Sequence, residues 1–227
     1  MPGPPVFLVH GFASSFERNW REPGWVDLLS DAGREVIGID LLGHGSADKP
    51  HDPDAYAGVD DDVRAALPDE PVEAIGFSMG ARILLSLAAA EPDRFLKIVV
   101  GGVGANVFGG GSSDGLARAI EHGVDGETPL IARVFAQFAA GSNNDKSALA
   151  AFLRREVKPL TAEQLGAITC PVLVVLGDKD FAGPADPLVD ALPNAKLVTL
   201  AGADHFATPK DFRFIDAALE FLDAVPE

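Results

Sequence analysis

Val72-Glu73-Ala74-Ile75-Gly76-Phe77-Ser78-Met79-Gly80-Ala81-Arg82 is the stretch from which the fold is read. An apolar strand runs into a serine with a glycine two positions before it and another two after. Strong helix formers then continue from Ala81 to Ala90, stopping only at Glu91-Pro92. A serine held between a strand and a helix sits on a sharp turn, which the chain can make only if Gly76 and Gly80 present no side chain to collide. Its hydroxyl stands at the C-terminal edge of the strand, beside the first free N–H groups of the helix that begins at Met79. A nucleophile and part of an oxyanion site therefore come from one local geometry.

Working outward, five more short apolar runs accompany this one: Val6 to Val9, Glu35 to Ile39, Lys97 to Val100, Val172 to Leu176 and Lys196 to Leu200. Most are apolar nearly throughout, which predicts strands covered on both faces. The helical patterns between them predict a parallel sheet in a three-layer α/β sandwich. Helices are expected over 23–32, 59–67, 79–90 and 212–222, the last with Phe212, Ile215, Leu219 and Leu222 on one face. The pattern breaks between Val103 and Thr169. Asn106 to Gly115 holds four glycines and two serines, and helices follow over 116–122, 129–140, 147–157 and 161–165 with no strand between them. The expected organisation is a core of residues 1–105 and 166–227 and an all-helical cap of residues 106–165, entered through a glycine-rich hinge. An insertion that leaves the C-terminal end of a parallel strand hangs over the ligand site.

Length and composition set the class: 227 residues, 47% of them hydrophobic, are enough for one large α/β domain. The single Cys170 excludes a disulfide framework, and Met1-Pro2-Gly3-Pro4-Pro5 has no basic or apolar leader, so a cytoplasmic location is expected. No apolar run approaches the roughly 18 residues of a membrane span. The net charge of −16, with Asp60-Asp61-Asp62 balanced by no basic cluster, disfavours nucleic acids and anionic membranes. No His or Cys pair has metal-ligand spacing and no glycine-rich phosphate loop is present, so neither metal nor cofactor is expected. The partner implied is a small molecule; oligomeric state is not legible.

A nucleophilic serine needs a base to take its proton and a carboxylate to orient that base. The strand ending at Leu176 runs into Gly177-Asp178-Lys179-Asp180, and the strand ending at Leu200 runs into Ala201-Gly202-Ala203-Asp204-His205-Phe206. Both turns should open on the edge that carries Ser78. These turns offer His205 as a candidate base and Asp178, Asp180 and Asp204 as candidate acids, although Asp204 adjoins His205 too closely to orient it easily. His10 and His44 lie in tight turns where a structural hydrogen bond is the commoner role, and His51 and His122 read as surface residues.

Together these motifs resemble those of the α/β-hydrolases, over almost the whole chain. The order serine, acid, histidine matches that family. His10-Gly11-Phe12 resembles its oxyanion loop, and Asp40-Leu41-Leu42-Gly43-His44-Gly45-Ser46 resembles its D-x-P-G-H-G-x-S turn with Leu42 in place of proline. The resemblance implies that Ser78 is the nucleophile, Asp180 the acid and His205 the base, with the backbone N–H groups of Phe12 and Met79 as the oxyanion hole. It also implies a three-layer α/β-hydrolase sandwich with a shortened parallel sheet of about six strands, since the family has two strands before the one that starts here at Val6. The cap would fall between the family's sixth and seventh strands.

The expected function is a cofactor-free serine hydrolase acting on carboxylic esters or thioesters of small apolar molecules, with Phe181 and Phe206 beside the substrate. Arg82, one helical turn beyond Ser78, has two readings. It is either an ion pair buried beside the elbow or a substrate ligand, because Ser78-Met79-Gly80-Ala81-Arg82 also resembles the menaquinone-pathway synthase of this fold, in which an arginine here binds a substrate carboxylate. That resemblance implies a lyase using the same triad. A non-catalytic receptor on the same scaffold is the third expectation.

Overall fold

The computed structural model describes residues 3–226. Of the N-terminal reading above, Met1 and Pro2 lie outside the described residues. The six apolar runs form β1 (Val6–Val9), β2 (Val36–Ile39), β3 (Val72–Phe77), β4 (Phe95–Gly101), β5 (Val172–Gly177) and β6 (Ala195–Leu200). They make one sheet in the order β2-β1-β3-β4-β5-β6, every pair parallel. The chain leaves β1 for the edge position of β2 and then returns to the other side of β1 as β3. Strand order reverses there, and a crevice opens outside the carboxyl ends of β1 and β3.

Helices cover both faces. On one side lie α1 (Trp25–Asp31) and α9 (Phe212–Phe221); on the other lie α2 (Val59–Ala66), α3 (Met79–Ala90), α7 (Ala162–Gly166) and α8 (Asp186–Ala191). The two-residue alternation of a strand divides the core between them: Val6 and Leu8 pack with α1 and α9, Phe7 and Val9 with the opposite layer. On the α1 side Trp20, Trp25 and Phe214 meet edge to face, with ring centroids 5.4 and 4.9 Å apart. β6 departs from the expectation of two covered faces. It is the sheet edge, and Leu197 is 39% exposed there while Val198 and Leu200 pack inward. Helix α8 was not expected, because its six residues begin at Asp186-Pro187 within a polar turn.

Between β4 and β5 the chain is helical, as α4 (Asp114–His122), α5 (Leu130–Ala140), α6 (Lys146–Arg154) and then α7. Ile120, Ala139 and Leu149 from the first three share a small cluster with Ala13 of the loop after β1. Leu160 and Leu165 instead pack into the main core, so α7 belongs by its contacts with α3. The glycine-rich stretch is also more tied than a free hinge. Gly111 N–H donates to Val157 (2.7 Å), Ser113 N–H to Leu153 (2.9 Å) and Leu160 N–H to Val107 (3.0 Å), so the two ends of the segment hold each other. Among the described residues no helix is long and apolar enough to cross a membrane.

One charged pair lies buried at the amino-terminal ends of the strands. Glu73, second residue of β3, is 3% exposed and bonds the Arg34 guanidinium, which also donates to the carbonyls of Pro4 (2.8 Å) and Leu222 (2.9 Å). Arg34 thereby ties the approaches to β1 and β2 and the end of α9 to the central strand. Removing one partner of a buried pair strands the other charge. Glu73→Ala should lower unfolding free energy by about 3–5 kcal/mol in denaturant titration. A loss equal to that of an exposed carboxylate would contradict this.

Candidate active site

Ser78 joins β3 to α3 with φ 52° and ψ −110°, a left-handed backbone that a serine adopts only under constraint. Packing supplies the constraint. A Cβ on Gly80 would run into the carbonyl oxygen of Val9, and one on Gly76 would come within 2.7 Å of the Ala81 backbone. The elbow is therefore pressed between β1 and the first turn of α3, with Ser78 N–H held by Gly101 O at 2.8 Å.

Ser78 Oγ lies 2.9 Å from His205 Nε2, and His205 Nδ1 lies 2.9 Å from both carboxylate oxygens of Asp180. With Nδ1–H donated to the carboxylate, Nε2 is left to accept from the serine hydroxyl. The Asp180 carboxylate also accepts the Ala182 N–H at 2.8 Å, and both Asp180 and His205 are buried. The competing acids are occupied elsewhere: Asp178 caps Gly202 N–H (2.7 Å), and Asp204 accepts from Phe206 (3.0 Å) and Ala207 (2.9 Å). The turn carrying His205 is anchored to the core, because Trp25 Nε1–H donates to Pro209 O at 3.0 Å. Phe181 and Phe77 flank the imidazole at centroid distances of 4.4 and 5.0 Å, and Phe206 meets it edge-on at 5.6 Å.

Beside Ser78 the loop after β1 is fixed from three sides. His10 Nδ1–H donates to Gly11 O (2.8 Å) while Nε2 accepts the Leu41 N–H (3.0 Å). Asp40 accepts from Phe16 N–H and Ser46 N–H, each at 2.7 Å, and these bonds outweigh its burial and hold its carboxyl below the usual range. Asn19 Oδ1 accepts the Gly11 N–H at 3.1 Å. Asn19 was not singled out in the sequence; it lies in a π-helical turn, Glu17–Arg21, that no periodicity announces. The next N–H along this loop, that of Phe12, bonds no described residue. The Met79 N–H heads α3 and has no helical acceptor.

Two cavities meet at Ser78, with Phe12 and Phe135 as shared walls. One, about 140 Å³, runs past Phe77, Phe138 and Phe206; the other, about 230 Å³, passes Phe152 and Phe181 toward Arg82 and Arg155. Arg82 lines the second cavity and makes no ion pair with a described residue. Its guanidinium donates to the carbonyls of Val107 (2.6 Å) and Lys158, bridging the two ends of the helical segment to α3.

Comparison with known proteins agrees with this architecture. Residues 4–106 match the model of the alpha/beta hydrolase fold family. The chain is an enzyme of the α/β-hydrolase fold. It is 28% identical to a pimeloyl-[acyl-carrier protein] methyl ester esterase of Neisseria meningitidis, across 88% of this chain and 86% of that protein. Among solved structures it resembles the enol-lactonase from Burkholderia xenovorans LB400, with TM-score 0.74, 20% identity and coverage of 98% and 92%. MenH from S. aureus is also similar, with TM-score 0.74, 19% identity and coverage of 98% and 94%.

Two buried imidazoles of this fold, His10 and His44, do not touch Ser78. Burial lowers the pKa of both; His44, packed against the Phe12 and Phe152 rings and repelled by His10, falls to about 3. Each is neutral in the folded chain while its unfolded counterpart protonates near the usual 6.5. Their contribution to stability is thus complete above that pH and is lost as pH falls from 6.5 toward the folded values, before most carboxylates titrate. Unfolding free energy should decline by about 1.4 kcal/mol per pH unit on account of His44 once pH is well below 6.5 and still above about 3, with His10 adding to the decline in the same direction. His44→Gln should flatten the decline, and an unchanged slope would refute the assignment.

Proposed function

We propose that this enzyme is a serine hydrolase that cleaves carboxylic esters, thioesters included, through an acyl-enzyme. The observation that carries the reading is the unbroken hydrogen-bonded run from Ser78 Oγ through His205 to Asp180, set on a strained elbow at the switch point of the sheet. In this mechanism His205 Nε2 takes the hydroxyl proton as Ser78 Oγ bonds to the substrate carbonyl carbon. The carbonyl oxygen becomes an oxyanion facing the Phe12 and Met79 N–H groups. Its collapse breaks the bond to the alkoxy or thiolate leaving group, which receives the proton from His205. Water then adds to the acyl carbon, gives its proton to Nε2, and the acid departs as Ser78 regains its hydrogen. Asp180 keeps the imidazole in the required tautomer and stabilises its charged form.

The phenylalanine-lined cavities suit an apolar substrate body. Residues 106–165 act in this reading as a cap, since Phe135, Phe138 and Phe152 come from it, and its bonded ends favour a lid fixed at the stem. The similarity to a methyl ester esterase and to an enol-lactonase fits acyl transfer to water. The lyase alternative depended on Arg82 as a carboxylate ligand, and the two backbone carbonyls it serves weigh against that. A receptor without turnover would have no use for an aligned serine, histidine and carboxylate.

Ser78→Ala should lower kcat for p-nitrophenyl esters by several orders of magnitude with thermal unfolding little changed. Asp180→Asn should cost about 10⁴ in kcat, by reversing the hydrogen bond that sets the tautomer, and Asp178→Asn far less. The opposite ranking of the two aspartates in steady-state assays would overturn the assignment of the acid.

A further inference from the structure

The cavity of about 140 Å³ beside Ser78 reverses the sign of the chain's charge. The protein has 34 acidic residues against 18 Lys and Arg, yet this cavity is lined by Arg18 and Lys210 and by no Asp or Glu. Neither cation has a carboxylate within ion-pair distance among the described residues. Arg18 donates to Gly141 O (2.8 Å) and lies over the Phe138 ring at 5.0 Å, while the Lys210 ammonium makes no bond there. Glu22, on the adjoining surface, reaches neither.

Asn19 lines the same cavity and is 4% exposed. Its Oδ1 is used by the Gly11 N–H, which fixes the amide orientation, and its Nδ2 is a buried donor with no partner. A buried donor without an acceptor is costly, and an oxygen supplied by a ligand removes the cost. The cations of the second cavity differ in having a carboxylate close by: Arg82 and Arg155 both feel Asp60, while Arg82 also serves two carbonyls and Arg155 bonds Phe152 O (2.8 Å) and covers that residue's ring.

Resting on the ester-hydrolase reading, we propose that the substrate is an acidic ester, and that the arm occupying this cavity ends in a carboxylate bound by Asn19, Arg18 and Lys210. A short apolar chain beside the phenylalanines leads from the ester at Ser78 to a polar end, and the local positive field draws in anions that the rest of the surface repels.

The test compares acid esters with neutral isosteres. On the acyl arm the pair is p-nitrophenyl hydrogen glutarate and p-nitrophenyl valerate; on the alcohol arm it is 4-acetoxybutanoate and pentyl acetate. The wild type should prefer the acid in one pair. The double variant Arg18→Gln, Lys210→Gln should reduce that preference in kcat/KM by about tenfold, mainly through KM, and added salt should weaken the wild-type preference. Serine-dependent turnover of the neutral esters with no acid preference would overturn the proposal while leaving the hydrolase reading intact. A preference lost in Arg155→Gln and kept in the double variant would also overturn it. If no ester is turned over, calorimetry of glutarate on Ser78→Ala still decides: binding that the double substitution abolishes supports the site, and absence of binding refutes it.

Discussion

The site depends on the contact between α3 and β1 at Gly80. Only because that residue has no Cβ can the first turn of the helix lie against the Val9 and His10 carbonyls. This contact presses Ser78 into its left-handed conformation and aligns its hydroxyl with His205. It also brings the N-terminus of α3 beside the loop after β1, so that the Met79 and Phe12 N–H groups come from two neighbouring strands. Strain at the serine is balanced by the buried β3, whose six residues are all covered, and by the helix that follows it.

Everything else that touches the chemistry is held by polar contacts running from the core to the loops. Asp40 joins the loops after β1 and β2, His10 joins the first loop to Leu41, and Trp25 fixes the turn that presents His205. Arg82 performs the same service for the helical segment between β4 and β5. Its guanidinium bonds two carbonyls instead of a carboxylate, which explains why a cation in an acidic chain stands so close to the nucleophile without an ion pair.

Much of this was legible in the sequence because it depends on short-range rules. The elbow follows from glycine spacing, and the strands follow from apolar runs such as Val172 to Leu176, which are buried on both sides. The edge position of β6 was written only faintly, in Lys196 and Thr199, which interrupt an otherwise apolar run and stand exposed on the edge strand. Asn19 was missed for another reason. Its role comes from a π-helical turn that folds it back on Gly11 eight positions earlier. The ties at the stem of the helical segment were not legible, because glycines at 109–111 suggest freedom, whereas Gly111 N–H bonds Val157 O and Gly110 lies against Val157 and Pro159, far along the chain.

The most direct test of the central claim is mass-spectrometric mapping of a fluorophosphonate adduct, because the reagent reacts only where a serine is activated and an oxyanion is stabilised. The account predicts one rapid modification, on Ser78, that His205→Ala suppresses. Absence of labelling in the folded protein, or modification of another serine in its place, would contradict it.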